Sequence, residues 1–413
     1  MQQPEVVLDQ GPDIYAPPLA GDRPGSANRH VPALDGLRGI AILLVMLNHF
    51  TLYGGMQPTN IIDKTFYDLA VSGWIGVDLF FVLSGFLITG ILHDTKESAH
   101  FFRNFYARRF LRIFPLYYGV LFCLFIILPR LLSLDKEFQS LIEQQGWYWG
   151  YLINLRIALK GWSLSGIIDH FWSLAIEEQF YFFWPIVVFL FSRRNLILIC
   201  ILCILISFGV RVTLIFIDHP AAAHVLTPAR MDSLAVGALL ALIARGPNGL
   251  ANVSRWASPI AGFAVVSLVG VFVLRQGLNS EDIAVETIGY ALLAVLFGAI
   301  LTLAVTRAPE TTLSKVFATP GLQFFGRYSY ALYVFHHPIV FYLKKHMISV
   351  EILPRFIGLQ LPGQILFILV ATSISLVFAL LSWHLYEQHF LKLKYLFPYE
   401  DRRIYLPGHA NSV

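Results

Sequence analysis

Residues 73–92 read GWIGVDLFFVLSGFLITGIL, twenty residues with a single charged group, Asp78. A bilayer core takes about 20 predominantly apolar residues per crossing helix. The run is too long for a strand and does not alternate between polar and apolar positions. Comparable runs recur at 37–54, 113–130, 172–191, 195–217, 230–245, 256–274, 285–306, 326–343 and 362–385. With 74–93 they predict an all-α, polytopic integral membrane bundle of about ten transmembrane helices. The composition agrees, since 56% of the 413 residues are hydrophobic and 14% are charged. A soluble domain carries about 25% charged residues, and this chain lacks the polar surface to cover a globule of its size.

The ends and the cysteines narrow the class further. Residues 1–29 are rich in Pro, Gly, Asp and Gln without an apolar segment, which predicts a disordered cytoplasmic tail rather than a signal peptide. The membrane domain is expected over 30–390 and a cytoplasmic C-terminal tail over 391–413. Cys123, Cys200 and Cys203 all fall in apolar runs, so neither a disulfide framework nor a metal site is expected. Nineteen of the thirty Lys and Arg fall on the side that holds the N-terminus, ten on the other, and Arg211 lies within a span. That excess predicts both termini in the cytoplasm. A net charge of +4 is too small to suggest a nucleic-acid partner.

Ionisable groups inside a span are costly and each needs a reason. In RHVPALDGLRGIAILLVMLNHF (29–50), Asp35 and Arg38 stand at the entry of the first helix and His49 deep within it. Eleven residues at about 100° each return Arg38 and His49 to one face, about 16 Å apart along the axis. That stripe suits a ligand lying lengthwise, although a capping pair and an interhelical hydrogen-bonder would produce the same residues. Asp78 requires a buried partner, for a salt bridge or for catalysis. In FYARRFLRIFPLYY (105–118), Arg109 and Arg112 are one turn apart, and guanidinium forks of this kind bind phosphates. In DHFWSLAIEEQFYFFWPI (169–186), His170 and Glu177 are seven residues apart and close to one helical face, with Trp172 between them. A buried carboxylate such as Glu177 orients a histidine or takes a proton. His336 and His337 lie in a later span with no carboxylate or Cys at metal-ligand spacing.

In this order the segments resemble the acyltransferase-3 family of multi-pass membrane O-acyltransferases. The resemblance rests on LDGLRGIAILLVMLNHF (34–50), WIGVDLFFVLSGFLIT (74–89), FYARRFLRIFPLYY (105–118), HFWSLAIEEQFYFFWP (170–185), RMDSLAVGALLA (230–241), GRYSYALYVFHHPI (326–339) and SWHLYEQHFLKLK (382–394). It implies transfer of an acyl group, usually acetyl, from acyl-CoA to a hydroxyl of a glycan, lipid-linked sugar or glycosylated small molecule, in an inner membrane. Arg38 and His49 match the family's first-helix Arg and essential His, Arg109 and Arg112 its arginine pair, and Glu177 its W-S-L-x-x-E carboxylate. Donor phosphates are therefore expected near Arg109 and Arg112, with Arg38 assisting and the pantetheine arm reaching toward His49. His49 is expected to act as base or acyl acceptor, oriented by Glu177 or, failing that, Asp78. Asp35, His170, Trp172 and His336 complete the set as substrate-binding candidates. Acetyl-CoA or another acyl-CoA is the expected co-substrate, with no permanently bound cofactor. Some members carry a fused extracytoplasmic esterase-like domain, and none is expected here. The rival reading is a transporter using the same His, Asp and Arg as a substrate or proton path; the absence of a visible repeat between halves argues against it.

Overall fold

The computed structural model describes residues 15–16, 29–131, 135–163, 165–308 and 310–399. The expected N-terminal tail therefore lies outside the described residues except for 15–16 and 29, and the expected C-terminal tail is described only to 399. Apart from a two-residue antiparallel pairing of Tyr15–Ala16 with Arg29–His30, the regular structure among the described residues is helical.

Ten long helices carry the fold, α1 Pro32–Leu52, α2 Gly76–Asp94, α3 Phe101–Phe122, α4 Phe171–Leu190 and α5 Arg193–Phe216, then α6 Thr227–Ala244, α7 Ala251–Arg275, α8 Tyr290–Thr306, α9 Ser329–His346 and α10 Leu361–Ser382. Local chemistry sets their starts. Proline near the first position opens α1, α6 and α10, where its missing N–H costs no hydrogen bond. The buried Asp63 carboxylate accepts from the backbone N–H of Gln360 and Leu361, both at 3.0 Å, and so satisfies free donors at the mouth of α10.

Among the described residues nine helices are long and apolar enough to cross a membrane, one fewer than expected. The difference is α9, whose 18 residues include His336 and His337 and end in Lys344, Lys345 and His346. One boundary also differs from expectation. The arginines 103–112 lie on the regular helix α3, which begins at Phe101 rather than near 113. The connector before α4 carries short helices, and Tyr117 of α3 donates to the Tyr148 carbonyl of one of them at 2.8 Å.

Apolar side chains turned outward identify the solvent. Along α5, Leu198, Leu202 and Leu205 are exposed, and along α7 so are Phe263, Val266 and Val273. Contiguous outward apolar surface of this kind belongs against lipid, and the chain is a multi-pass membrane protein.

Inside, small residues and paired charges replace the hydrophobic drive that lipid removes. Gly85 of α2 and Gly237 of α6 let the two backbones meet: a Cβ on Gly85 would stand 1.9 Å from the Leu234 carbonyl oxygen, and one on Gly237 2.0 Å from that of Val82. Farther along the same contact, Arg230 donates to both oxygens of Asp78 at 2.9 Å and Ser233 donates to the same carboxylate. Arg211 of α5 pairs with Asp232 at 2.7 Å, so the charges that shorten the apolar run of α6 are neutralised by neighbours on both sides. Helix α1 is seated in the same way, with Gly39 against the Leu322 carbonyl of the short helix Pro320–Arg327.

Removing one partner of a buried ion pair strands the other, at about 3–5 kcal/mol. Asp78→Ala is therefore expected to lower the thermal midpoint of the detergent-solubilised protein sharply, while Asp78→Leu combined with Arg230→Met recovers most of the loss. Equal losses in the single and double variants would show that the pair itself is not what holds α2 to α6.

Candidate active site

Helix α1 presents Arg38 and His49 to two different cavities, and α9 lines both of them. His49 Nδ1 lies 2.7 Å from His336 Nε2 across the α1–α9 contact, with centroids 5.0 Å apart and the ring planes within 19° of parallel. His336 Nδ1 in turn lies 3.0 Å from the carbonyl oxygen of Leu332, one turn earlier on α9. A carbonyl only accepts, so the His336 proton sits on Nδ1 and its Nε2 is a lone pair. His49 must then donate from Nδ1, which leaves His49 Nε2 as the basic atom. The two remaining imidazoles are fixed by the same rule: His337 donates from Nδ1 to the Ile167 carbonyl, and His170 from Nε2 to that of Tyr333, each at 2.9 Å. His337 packs edge-on to His49 and face-on to His170, both with centroids 4.5 Å apart. Among the described residues no three His, Cys, Asp or Glu side chains converge in metal-ligand fashion.

His49, Asn48, His170 and His337 help line a cavity of about 520 Å³. Trp74, Trp162 and Trp172 form much of its wall. On the other side lies a narrower cleft of about 70 Å³ lined by Arg38, Arg109, Arg112, Glu177, Glu178 and Tyr181. A smaller recess of about 30 Å³ continues it past Arg108 and Lys394. Val77 and Tyr333 line both the large cavity and the cleft, so one layer of side chains divides them. The Tyr333 hydroxyl lies 2.5 Å from Ser173 Oγ and donates to the His170 carbonyl at 2.9 Å, which locks the tyrosine across the divide.

The structure thus brings Arg38, Arg109, Arg112 and Glu177 together, and separately His49, His170, His336 and Trp172. Glu177 accepts from Ser84 Oγ at 2.6 Å on the arginine side, so its carboxylate does not orient His49 as the sequence spacing with His170 suggested. His170, the residue just before α4, and Glu177, within it, line spaces on opposite sides of the Tyr333 layer. Asp78 is likewise engaged with Arg230 and Ser233 and does not reach the imidazoles. His336 stands behind His49 and does not line the cavity, while Asp35, buried in the first turn of α1, lines neither space. Tyr333 and Ser173 were not among the expected residues. The available signal was position, since Tyr333 precedes His336 by three residues and Ser173 follows His170 by three, one helical turn in each case.

Comparison with known proteins places this arrangement. Two relatives are peptidoglycan O-acetyltransferase OatA of Listeria monocytogenes, 28% identical over 76% of this chain and 50% of its own, and O-acetyltransferase OatA of Staphylococcus aureus, 27% identical over 78% and 53%. The chain therefore spans about half the length of the curated relatives it matches. No solved structure matches. The model of the acyltransferase-3 acyltransferase domain matches residues 31–384, which takes in the large cavity with its histidines and the arginine-lined cleft, and the chain belongs to that family.

Proposed function

We propose that this chain is an inner-membrane O-acyltransferase that moves an acyl group, acetyl first among them, from acyl-CoA to a hydroxyl of a glycan or glycosylated acceptor. The observation that carries the reading is the hydrogen-bond relay from the Leu332 carbonyl through His336 to His49, which presents an unprotonated Nε2 beside a roomy cavity. The family and the relatives named O-acetyltransferases support the reaction class.

The donor enters from the arginine side. Its phosphates rest at the mouth formed by Arg108, Arg109 and Arg112, where guanidinium groups supply bidentate donors. The cleft beyond is too narrow for a nucleotide, and the thin pantetheine arm is the part that follows Arg38 along α1 toward the divide. The excess of basic residues on this side supports a cytoplasmic position for it, with both termini there when α9 is counted as a span.

His49 Nε2 removes the proton of the acceptor hydroxyl as that oxygen attacks the thioester carbonyl. The C–O bond forms, the C–S bond breaks, and the imidazolium returns the proton to the departing thiolate. The proton on Nδ1 stays in the hydrogen bond to His336 throughout, which spreads the transient charge. Nε2 is also the nucleophilic atom in the version with an acyl-histidine intermediate. A route for transport is not favoured, because no repeat between the two halves of the chain is visible in the sequence.

The purified protein in detergent should release CoA thiol from acetyl-CoA when glycan acceptors are supplied. His49→Ala should reduce kcat about 10²–10⁴-fold, the usual contribution of a general base. Arg109→Ala should raise KM for acetyl-CoA about tenfold or more with kcat little changed, as loss of a charge-assisted contact to a phosphate does. Wild-type protein that neither binds nor consumes acyl-CoA would sink the proposal.

The relay makes a separate prediction. His336→Phe removes the acceptor that fixes the His49 tautomer and should lower kcat at least about tenfold, with KM for acetyl-CoA unchanged. His336→Asn, whose amide oxygen accepts, should restore part of the rate. Identical kcat in wild type and His336→Phe would show that His49 needs no orienting partner.

A further inference from the structure

The large cavity carries information on the acceptor that the chemistry at His49 leaves open. The charged part of its lining is acidic. Four carboxylates, Asp68, Asp169, Glu281 and Asp282, line it with one guanidinium, Arg275, and outside the lining Lys64 lies 3.4 Å from Asp68. That guanidinium is already committed, bonded to Asp282 through Nε at 2.9 Å and Nη2 at 2.5 Å. Asp169 receives the Tyr148 hydroxyl and the backbone and side chain of Ser163. Glu281 accepts from the indole N–H of Trp162 at 2.6 Å, which fixes that ring at the rim and leaves the second carboxylate oxygen for a ligand.

An independent observation lies at the floor. His170 is 3% exposed, and its Nε2 proton is spent on the Tyr333 carbonyl. Its Nδ1 is therefore a buried lone pair, and it has no hydrogen-bond partner. A buried acceptor left empty costs about 1–3 kcal/mol, so the atom calls for a donor such as a hydroxyl. His170 lines the cavity and its ring centroid is 6.2 Å from that of His49. A hydroxyl satisfying His170 therefore belongs to the same ligand as the one deprotonated by His49. Trp162, also in the lining and 40% exposed, offers a flat apolar face on which the C–H side of a pyranose rests.

Resting on the acyl-transfer reading, we propose that this cavity is a subsite for an uncharged, hydroxyl-rich sugar and rejects glycans that bear carboxylates. A neutral sugar brings donors to His170, Glu281 and Asp68 and an apolar face to Trp162. A uronate or sialate brings a second negative charge into an acidic, partly desolvated space where no uncommitted cation among the described residues meets it.

The test pairs oligosaccharides that differ by their carboxylates. Chitotetraose against a hyaluronan tetrasaccharide and cellotetraose against its uronate counterpart are titrated calorimetrically into the full-length protein in detergent. The neutral member of at least one pair should bind about tenfold or more tightly than its anionic partner. In Glu281→Gln, which keeps an acceptor for Trp162, and in Asp68→Asn, that ratio should shrink several-fold. An anionic member that binds as tightly as its neutral partner overturns the proposal, as does no binding of any of the four at millimolar concentration. Thiol release from acetyl-CoA in the same samples separates the two readings. Turnover with an anionic acceptor preserves acyl transfer and sinks the charge selection. Neutral-selective binding without turnover on any acceptor preserves the subsite and sinks acyl transfer.

Discussion

Everything in this bundle depends on bringing α2 and α6 into backbone contact with their charges cancelled. Lipid supplies no hydrophobic drive between helices, so close packing and internal pairing must do what water does for a soluble core. Gly85 and Gly237 provide the approach, and Arg230 with Asp78 makes separation costly. Once α6 is fixed, Asp232 draws in Arg211 and with it α5. The same α2 supplies Ser84 to Glu177 and Val77 to the divide between the cavities. The structural ion pair and the candidate catalytic groups thus share a scaffold without sharing atoms.

The histidines illustrate how a buried site is made definite without a carboxylate. Each of the three supporting imidazoles spends one nitrogen on a backbone carbonyl, and carbonyl oxygens do not move a proton away. The helix and turn geometry that positions those carbonyls consequently sets the protonation pattern of the whole group. His49 alone is fixed at second hand, through His336, and its basic Nε2 is left uncommitted by that relay.

The spans were legible in the sequence because hydrophobic length is a local property, and nine of the described helices follow it directly. Helix α9 is the exception in that its polar residues serve the site, so the composition that betrays its function obscures its span. Arg38 and His49 were legible as a pair because helical periodicity relates them within one segment. The His49–His336 bond joins residues 287 apart in the chain, and no local pattern encodes which face of α9 turns toward α1. Glu177 shows the opposite failure. Its spacing from His170 is a true helical relation, but Tyr333 comes between the spaces the two residues line, and a partition made by another helix leaves no trace in the spacing.

The thinness of that partition has an electrical side. Where polar cavities approach from two ends of a membrane protein, the transmembrane voltage no longer falls over the full hydrocarbon thickness but over the dry layer left between them. Here that layer is Tyr333, Val77 and their immediate neighbours. An elementary charge carried fully across would do or require work of about 2.3 kcal/mol per 100 mV. An acyl group is uncharged and crosses such a field at no electrical cost, whichever way round the bundle sits. The phosphates that the arginines are suited to hold would never have to enter it.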